Sequence, residues 1–217
     1  MTNEEVFGRV DFSVFSELVP WRDPSEFVHM VTGKIITYSE TDEDIEAGKI
    51  YLRLVLATEA TNAGQDLSKV CDADSAVLDS IDSALFDQNG ETREELDIEV
   101  GWNNLVFLEA VVVVPEVRQT MLMVQAIETA LAMFASEGLV VAIEEVLELT
   151  IEQWKRLGFR RIAGTGFVFR DQLKVNPYQD KGSAWPEIVM LTPFTNVHAL
   201  ANCCWANLFA RPLSQEL

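Results

Sequence analysis

A single carboxylate, Glu109, interrupts the otherwise apolar run from Val106 to Val114. A carboxylate is costly to bury unless it is protonated, hydrogen-bonded or paired with a cation. Its position in such a run therefore makes Glu109 a candidate for proton transfer. Two structural alternatives are open: the side chain reaches the edge of the strand, or it pairs with an arginine such as Arg160 or Arg161.

Four cations surround the tripeptide Leu157-Gly158-Phe159, and they are Lys155, Arg156, Arg160 and Arg161. Cations at the C-terminus of a helix stabilise its dipole, so helix stability is the simpler explanation of this cluster. The functional alternative is a local positive patch that binds an anionic ligand in an otherwise acidic protein.

The elements that must position these residues follow a strand–helix–strand–helix order. The β-branched run that Pro115 ends is typical of a central strand covered on both faces. Apolar residues recur at helical spacing after it, and Gly138 is a suitable C′ residue for that helix. The predicted elements are a strand over Val106–Val114, a helix from Thr120 to Glu137 with Val124, Ile127, Leu131 and Phe134 inward, a strand over Leu139–Ile143, and a helix over Ile151–Leu157 that Gly158 ends before a strand opening at Phe159.

This unit resembles the coenzyme A-binding half of the GNAT superfamily of N-acetyltransferases. In that family a strand ending near "PEhRGkGlG" precedes a long helix, and a later helix ends in "Y-x-x-L-G-F". Here the matching segments are Pro115–Met121 and Trp154–Phe159. The segments Asn62–Leu67 (N-A-G-x-D-L) and Ala84–Asp87 (A-L-F-D) resemble a bacterial subgroup of GNAT-like proteins, so the resemblance covers about residues 27–171.

The resemblance implies an α/β, GNAT-like acyl-CoA N-acyltransferase fold, with a mixed central sheet flanked by helices. It makes residues 1–26 an N-terminal extension, 27–171 the GNAT-like domain, and 172–217 a C-terminal extension packed on the domain. It also implies acetyl-CoA or another acyl-CoA as co-substrate and a primary amine as acceptor.

Site residues follow from the same resemblance. Glu109 would be the general base that removes a proton from the substrate ammonium. Residues that would contact CoA are Val112, Val113 and Val114 along the pantetheine, Arg118, Gln119, Thr120, Met121 and Leu122 at the phosphates, and Trp154 at the position of the family's tyrosine.

The chain departs from the family pattern at two places. Gln119 and Met121 replace the loop glycines, whose missing Cβ leaves room for phosphate oxygens. Trp154 can donate a hydrogen bond but is no useful acid for a departing thiolate. The alternative function is therefore a catalytically degenerate GNAT fold that acts as an acidic binding or regulatory protein for a basic partner.

The N-terminal half predicts a hairpin and a helix. Phe27–Ser39 has the composition of a strand broken by Gly33, Glu40–Gly48 that of an acidic turn, and Ile50–Ala57 that of a second strand. Between Leu67 and Phe86 an apolar stripe at helical spacing predicts one amphipathic helix.

Charge is concentrated in that half. The net charge is −19, and residues 1–100 hold 23 acidic against 7 basic residues. Such a field disfavours direct binding to nucleic acid or an anionic membrane and favours an amine substrate or a basic protein partner. A soluble acidic surface with no specific partner is the simpler alternative.

Composition predicts a cytoplasmic protein without a metal. The N-terminus lacks the apolar segment of a signal peptide, and no run has the length of a membrane span. Cys71, Cys203 and Cys204 lack ligand or disulfide spacing, so we expect reduced thiols. Near the C-terminus we expect a strand over Glu187–Leu191 and a short helix over Asn196–Ala210, whose Trp205 and Phe209 pack on the domain or on a second copy in a homodimer.

Overall fold

A mixed sheet with helices on both faces organises the residues described by the computed structural model, which are 8–16, 23–38, 43–98, 101–118, 120–147 and 149–174. Within these ranges the sheet has seven strands in the order β1-β2-β3-β4-β5-β7-β6. The strands are β1 (Gly8–Phe15), β2 (Val28–Tyr38), β3 (Asp44–Val55), β4 (Asn104–Val113), β5 (Gly138–Ile143), β6 (Arg160–Arg161) and β7 (Phe167–Asp171). Neighbouring strands are antiparallel except β4 and β5, which are parallel.

Five α-helices are described, namely α1 (Ala57–Asn62), α2 (Leu67–Asp74), α3 (Ala76–Leu85), α4 (Met121–Phe134) and α5 (Ile151–Arg156). Short 3-10 turns lie at Pro24–Phe27 and Glu94–Leu96. Side chains of β4 alternate between two cores: Val106 and Leu108 pack with α4 and α5, whereas Leu105 and Phe107 pack with α2 and α3. The α/β class is therefore confirmed. Burial on both faces holds for residues 105–108 of β4, whereas residues 109–112 are half-buried or exposed.

Helix caps explain where the two helices of the C-terminal half begin. Thr120 accepts a hydrogen bond from the Leu122 amide at 3.2 Å and starts α4. Thr150 and Gln153 form a capping box at the start of α5. Gly158 follows α5 with φ of 71°, which is the left-handed conformation expected of a glycine that ends a helix.

Three predicted starts or ends of helices and strands are wrong. Gly138 is the first residue of β5 rather than a helix cap, and a Cβ there would lie 2.7 Å from the Asn104 carbonyl oxygen. The strand after α5 begins at Arg160, not at Phe159. The single helix predicted between residues 67 and 86 is two helices, because the Ser75 side chain accepts a hydrogen bond from the Leu78 amide and starts α3 anew.

Glycines in the N-terminal strands mark close packing instead of breaks or turns. Strand β2 continues through Gly33, where an added Cβ would lie within 2.8 Å of side chains from Val10, Phe12 and Ile50. Much of the predicted acidic turn belongs to β3, which begins at Asp44 and passes through Gly48. The turn signal failed because the glycine satisfies a tertiary contact rather than a local conformation.

The sequence also missed two elements. Strand β1 pairs with β2 from Gly8–Thr37 to Phe15–Met30, so the predicted extension over residues 1–26 supplies an edge strand of the sheet. Ala57, predicted as a strand end, begins α1. The strand and helix predicted after residue 174 lie outside the described residues, as does any dimer contact through them.

Candidate functional site

Glu109 lies at a β-bulge in β4. In the pairing of β3 with β4, Tyr51 faces Ala110 and Leu52 faces Leu108, so Glu109 is the extra residue between them. A bulge of this kind interrupts the ladder and redirects the side chain of the extra residue. The Glu109 side chain is 41% exposed, so the sequence prediction of a carboxylate enclosed by an apolar strand is only partly met.

Strands β4 and β5 stop pairing with each other next to this bulge. Pairing of β4 with β5 runs from Asn104–Gly138 to Leu108–Ala142, while β4 continues to Val113 along β3. Residues 110–113 thus keep β3 on one edge and extend beyond their ladder with β5 on the other. We call the opening between residues 110–113 and the end of β5 the fork. An exposed strand edge of this kind can hydrogen-bond an extended chain that carries amides.

Arg53 joins Glu109 to a second carboxylate. Its Nε lies 3.5 Å from Glu109 Oε2, and its Nη1 donates a short hydrogen bond to Asp74 Oδ2 at the end of α2. The Arg53 and Asp74 side chains are only 22% and 15% exposed. Burial lowers the pKa of Arg53, but Asp74 and Glu109 outweigh it and raise that pKa above its usual value. The guanidinium is therefore a fixed positive charge beside Glu109.

This pairing corrects the structural alternative that the sequence offered. The predicted partners Arg160 and Arg161 are engaged elsewhere: Arg161 pairs with Glu144, and the Arg160 guanidinium lies 4.6 Å from the centre of the Phe169 ring. The sequence carried one signal for the true partner, since Arg53 is the lone cation in the strand segment Ile50–Leu56.

The predicted phosphate loop uses its described backbone amides internally. The N–H groups of Val117, Arg118 and Thr120 donate to the carbonyls of residues 114, 115 and 117, at 3.1, 3.3 and 3.0 Å. The Leu122 amide is bonded to the Thr120 hydroxyl, which itself donates to the Val117 carbonyl. Fewer helix N-terminal amides are therefore directed at an anion than an open helix start would present.

Side chains predicted to bind CoA fall into different environments. Val112 is 60% exposed on β4, Val114 and Arg118 are exposed in the loop, and Thr120 and Met121 are half-buried. Val113 and Leu122 belong to the hydrophobic core, so only their backbone atoms could contact a ligand. Gln119 lies outside the described residues.

Trp154 packs as a core residue. It is 6% exposed, and its ring meets that of Phe159 edge to face with centroids 5.1 Å apart. This packing favours the structural interpretation of the W-x-x-L-G-F segment, in which the tryptophan anchors α5 against the sheet.

Within the described ranges, no group of three His, Cys, Asp or Glu side chains is placed to hold a metal ion. The helices described there are all too short or too polar to cross a bilayer. Comparison of the chain with protein-family models, with curated proteins and with solved structures finds no match in any of the three. The assignment of a function therefore depends on the geometry of the fork and of the Asp74–Arg53–Glu109 network.

Proposed function

We propose that this protein is an N-acyltransferase of the GNAT type, which moves an acetyl or longer acyl group from coenzyme A to a primary amine. One observation carries the proposal: the bulge at Glu109 coincides with the end of the β4–β5 ladder at Leu108–Ala142. The Glu109 carboxylate therefore lies where the fork, with its open strand edge, begins.

In this proposal the open edge of β4 at the fork binds the pantetheine arm of acyl-CoA, and the loop after β4 binds its phosphates. Backbone groups on the open edge of β4 at Val112 and Val113 hydrogen-bond the amides of the pantetheine arm and align the thioester. Val114 contributes less, because its N–H donates to the Ala47 carbonyl and its carbonyl accepts from Val117. Arg118, with Thr120, Met121 and Leu122 at the start of α4, meets the phosphates at the other end of the cofactor. Because several loop amides are already bonded within the loop, charge pairing with Arg118 contributes more here than backbone contacts.

Glu109 acts on the amine in this mechanism. Its carboxylate attracts the substrate ammonium and accepts one proton, directly or through a water molecule. The freed amine attacks the thioester carbonyl carbon and the C–S bond breaks. The second proton on the attacking nitrogen passes, directly or through water, to the departing CoA thiolate, and Glu109 returns its proton to solvent. The Arg53 guanidinium, whose Nε lies 3.5 Å from Glu109 Oε2, orients the Glu109 carboxylate.

Binding and turnover test this function separately. Acetyl-CoA present at 100 times its dissociation constant should stabilise the fold by about 2.7 kcal/mol, which calorimetry and thermal unfolding both detect. Glu109→Gln should lower kcat/KM for a primary amine by about 10²–10⁴-fold and leave CoA affinity within twofold, since general-base assistance has that size. Glu94→Gln, an exposed carboxylate on the 3-10 turn, is the matched control and should change neither quantity.

Two results would count against the enzyme. The first is an absence of heat and of thermal shift with millimolar acetyl-CoA. The second is turnover in Glu109→Gln equal to that of the wild type.

The hydrogen bonds that the amides of Val117, Arg118 and Thr120 make within the loop favour a second candidate, an acidic binding protein that keeps the fold without CoA chemistry. Its surface for a basic partner would be the exposed carboxylates Asp72 and Asp79 on α2 and α3. Association should then weaken steeply between 0.05 and 0.5 M salt, because exposed charges are screened over about 8 Å at physiological ionic strength. Asp72→Asn with Asp79→Asn should slow that association without lowering stability by more than about 0.5 kcal/mol.

A further inference from the structure

A cavity lies at the other end of the sheet from the fork. Its volume is about 430 Å³, and its walls come from α1, the start of α2, α3 and Trp102. Helix α1 follows the Val55–Leu105 end of the β3–β4 ladder, whereas the fork lies at the Gly48–Val113 end. The volume is within the usual range for small-molecule sites.

Asp82 is the side chain that gives this cavity its chemistry. It lines the wall, is only 7% exposed, and accepts a hydrogen bond from the Ser68 hydroxyl at 2.7 Å. Among the described residues no lysine or arginine pairs with it, and no cation lines the cavity. Asp66, at the start of α2, adds a second carboxylate to the same wall.

A carboxylate in this position is electrostatically unsatisfied. Burial raises the pKa of Asp82, and the nearby charges of Asp79 and Asp66 act in the same direction, while the Ser68 hydrogen bond opposes them. Buried charges in proteins are normally paired. A ligand with a positive charge would relieve both the desolvation and the repulsion.

The remaining walls suit an organic cation. The rings of Phe86 and Trp102 stack with centroids 5.6 Å apart and both line the cavity, so they offer an apolar surface to alkyl groups. Thr58 and Asn62 add oxygen atoms that can accept hydrogen bonds from an ammonium group. A hydrated metal ion would gain nothing from the aromatic wall.

We propose that this cavity binds a small aliphatic ammonium ion, with Asp82 as the charge partner and the Phe86–Trp102 pair against the alkyl chain. The site is separate from the fork, so it does not depend on the proposed acyl transfer.

The test uses n-butylammonium as the probe and n-butanol as a neutral compound of similar shape. Both are titrated into the full chain by calorimetry at constant ionic strength. Asp82→Asn keeps the size of the side chain and should weaken n-butylammonium binding at least tenfold. Asp79→Asn, an exposed carboxylate on the same helix, removes the same charge outside the cavity and should weaken it less than twofold. Trp102→Leu retains Asp82 and should weaken binding about threefold or more.

Several outcomes would overturn the site. These are the absence of saturable n-butylammonium binding, equal loss in Asp82→Asn and Asp79→Asn, binding of n-butanol as tight as that of the ammonium, or unchanged affinity in Trp102→Leu. Thermal unfolding of each variant accompanies the titrations. Asp82→Asn is expected to fold, because the amide retains an acceptor for Ser68 and removes the unpaired charge.

Discussion

Removal of the Arg53 charge tests whether one cation holds the two carboxylates beside the fork. We predict that Arg53→Met lowers the free energy of unfolding by about 2–3 kcal/mol. Exposed ion pairs contribute about 0.2–1 kcal/mol, and removing one partner of a fully buried pair costs about 3–5 kcal/mol. Arg53 and Asp74, at 22% and 15% exposure, lie between these limits. Methionine keeps much of the aliphatic packing, so the loss reports mainly the charge.

Arg53 should be coupled more strongly to Asp74 than to Glu109. Double-mutant cycles of Arg53→Met with Asp74→Asn should give a coupling energy of about 1.5–2 kcal/mol. The cycle with Glu109→Gln should give less than about 1 kcal/mol, because Glu109 is 41% exposed and its oxygen lies 3.5 Å from Arg53 Nε. Urea unfolding at pH 7 and 0.15 M salt measures both, with the m-value checking that the denatured state is unchanged.

An exposed arginine provides the matched control. Arg9 of β1 pairs with Asp44 of β3 at 2.6 Å on the exposed surface, so Arg9→Met should lower the free energy of unfolding much less than Arg53→Met does. Equal losses in the two arginine variants would refute the reasoning, as would a larger coupling of Arg53 with Glu109 than with Asp74. In the second case Glu109 would be a structural carboxylate, and its role as a base would lose its support.

Two further predictions concern stability. Gly48→Ala should lower the free energy of unfolding by about 3 kcal/mol, because its Cβ would lie 2.3 Å from the Val112 carbonyl oxygen. Gly90→Ala, at φ of 78° with open space around it, should lower the same quantity by about 1–2 kcal/mol. Urea titrations measure both, and a smaller loss at Gly48 than at Gly90 would contradict the strand register. Burial lowers the pKa of His29 from its usual 6.5, so the unfolded chain binds more protons than the folded chain just below that pH. Stability should therefore fall as the solution is acidified through this window, and His29→Gln should flatten the fall between pH 7.5 and 5. An unchanged dependence of stability on pH in that variant would exclude His29 as a cause.

The sequence determined the elements whose signals are local. The apolar run before Pro115 sufficed for β4, because its first part, residues 105–108, is buried on both faces and needs apolar residues at every position. Helical spacing from Thr120 sufficed for the start of α4, though not for its end at Phe134, and Gly158 sufficed for the end of α5. These signals depend on residues within one or two turns of each other, so they survive without knowledge of the fold.

Tertiary structure decided the features that join distant segments. Gly33 and Gly48 look like turn residues in sequence, but neighbouring strands approach them too closely for a Cβ. Arg53 meets Glu109 only because β3 pairs with β4, and it meets Asp74 only because α2 packs on the same face of the sheet. Periodicity carries no information about which strands become neighbours, since that depends on long-range packing. The sequence alone therefore identified Glu109 as the candidate carboxylate. Its pairing with Arg53, its position at a β-bulge and the fork beside it depend on the assembled sheet.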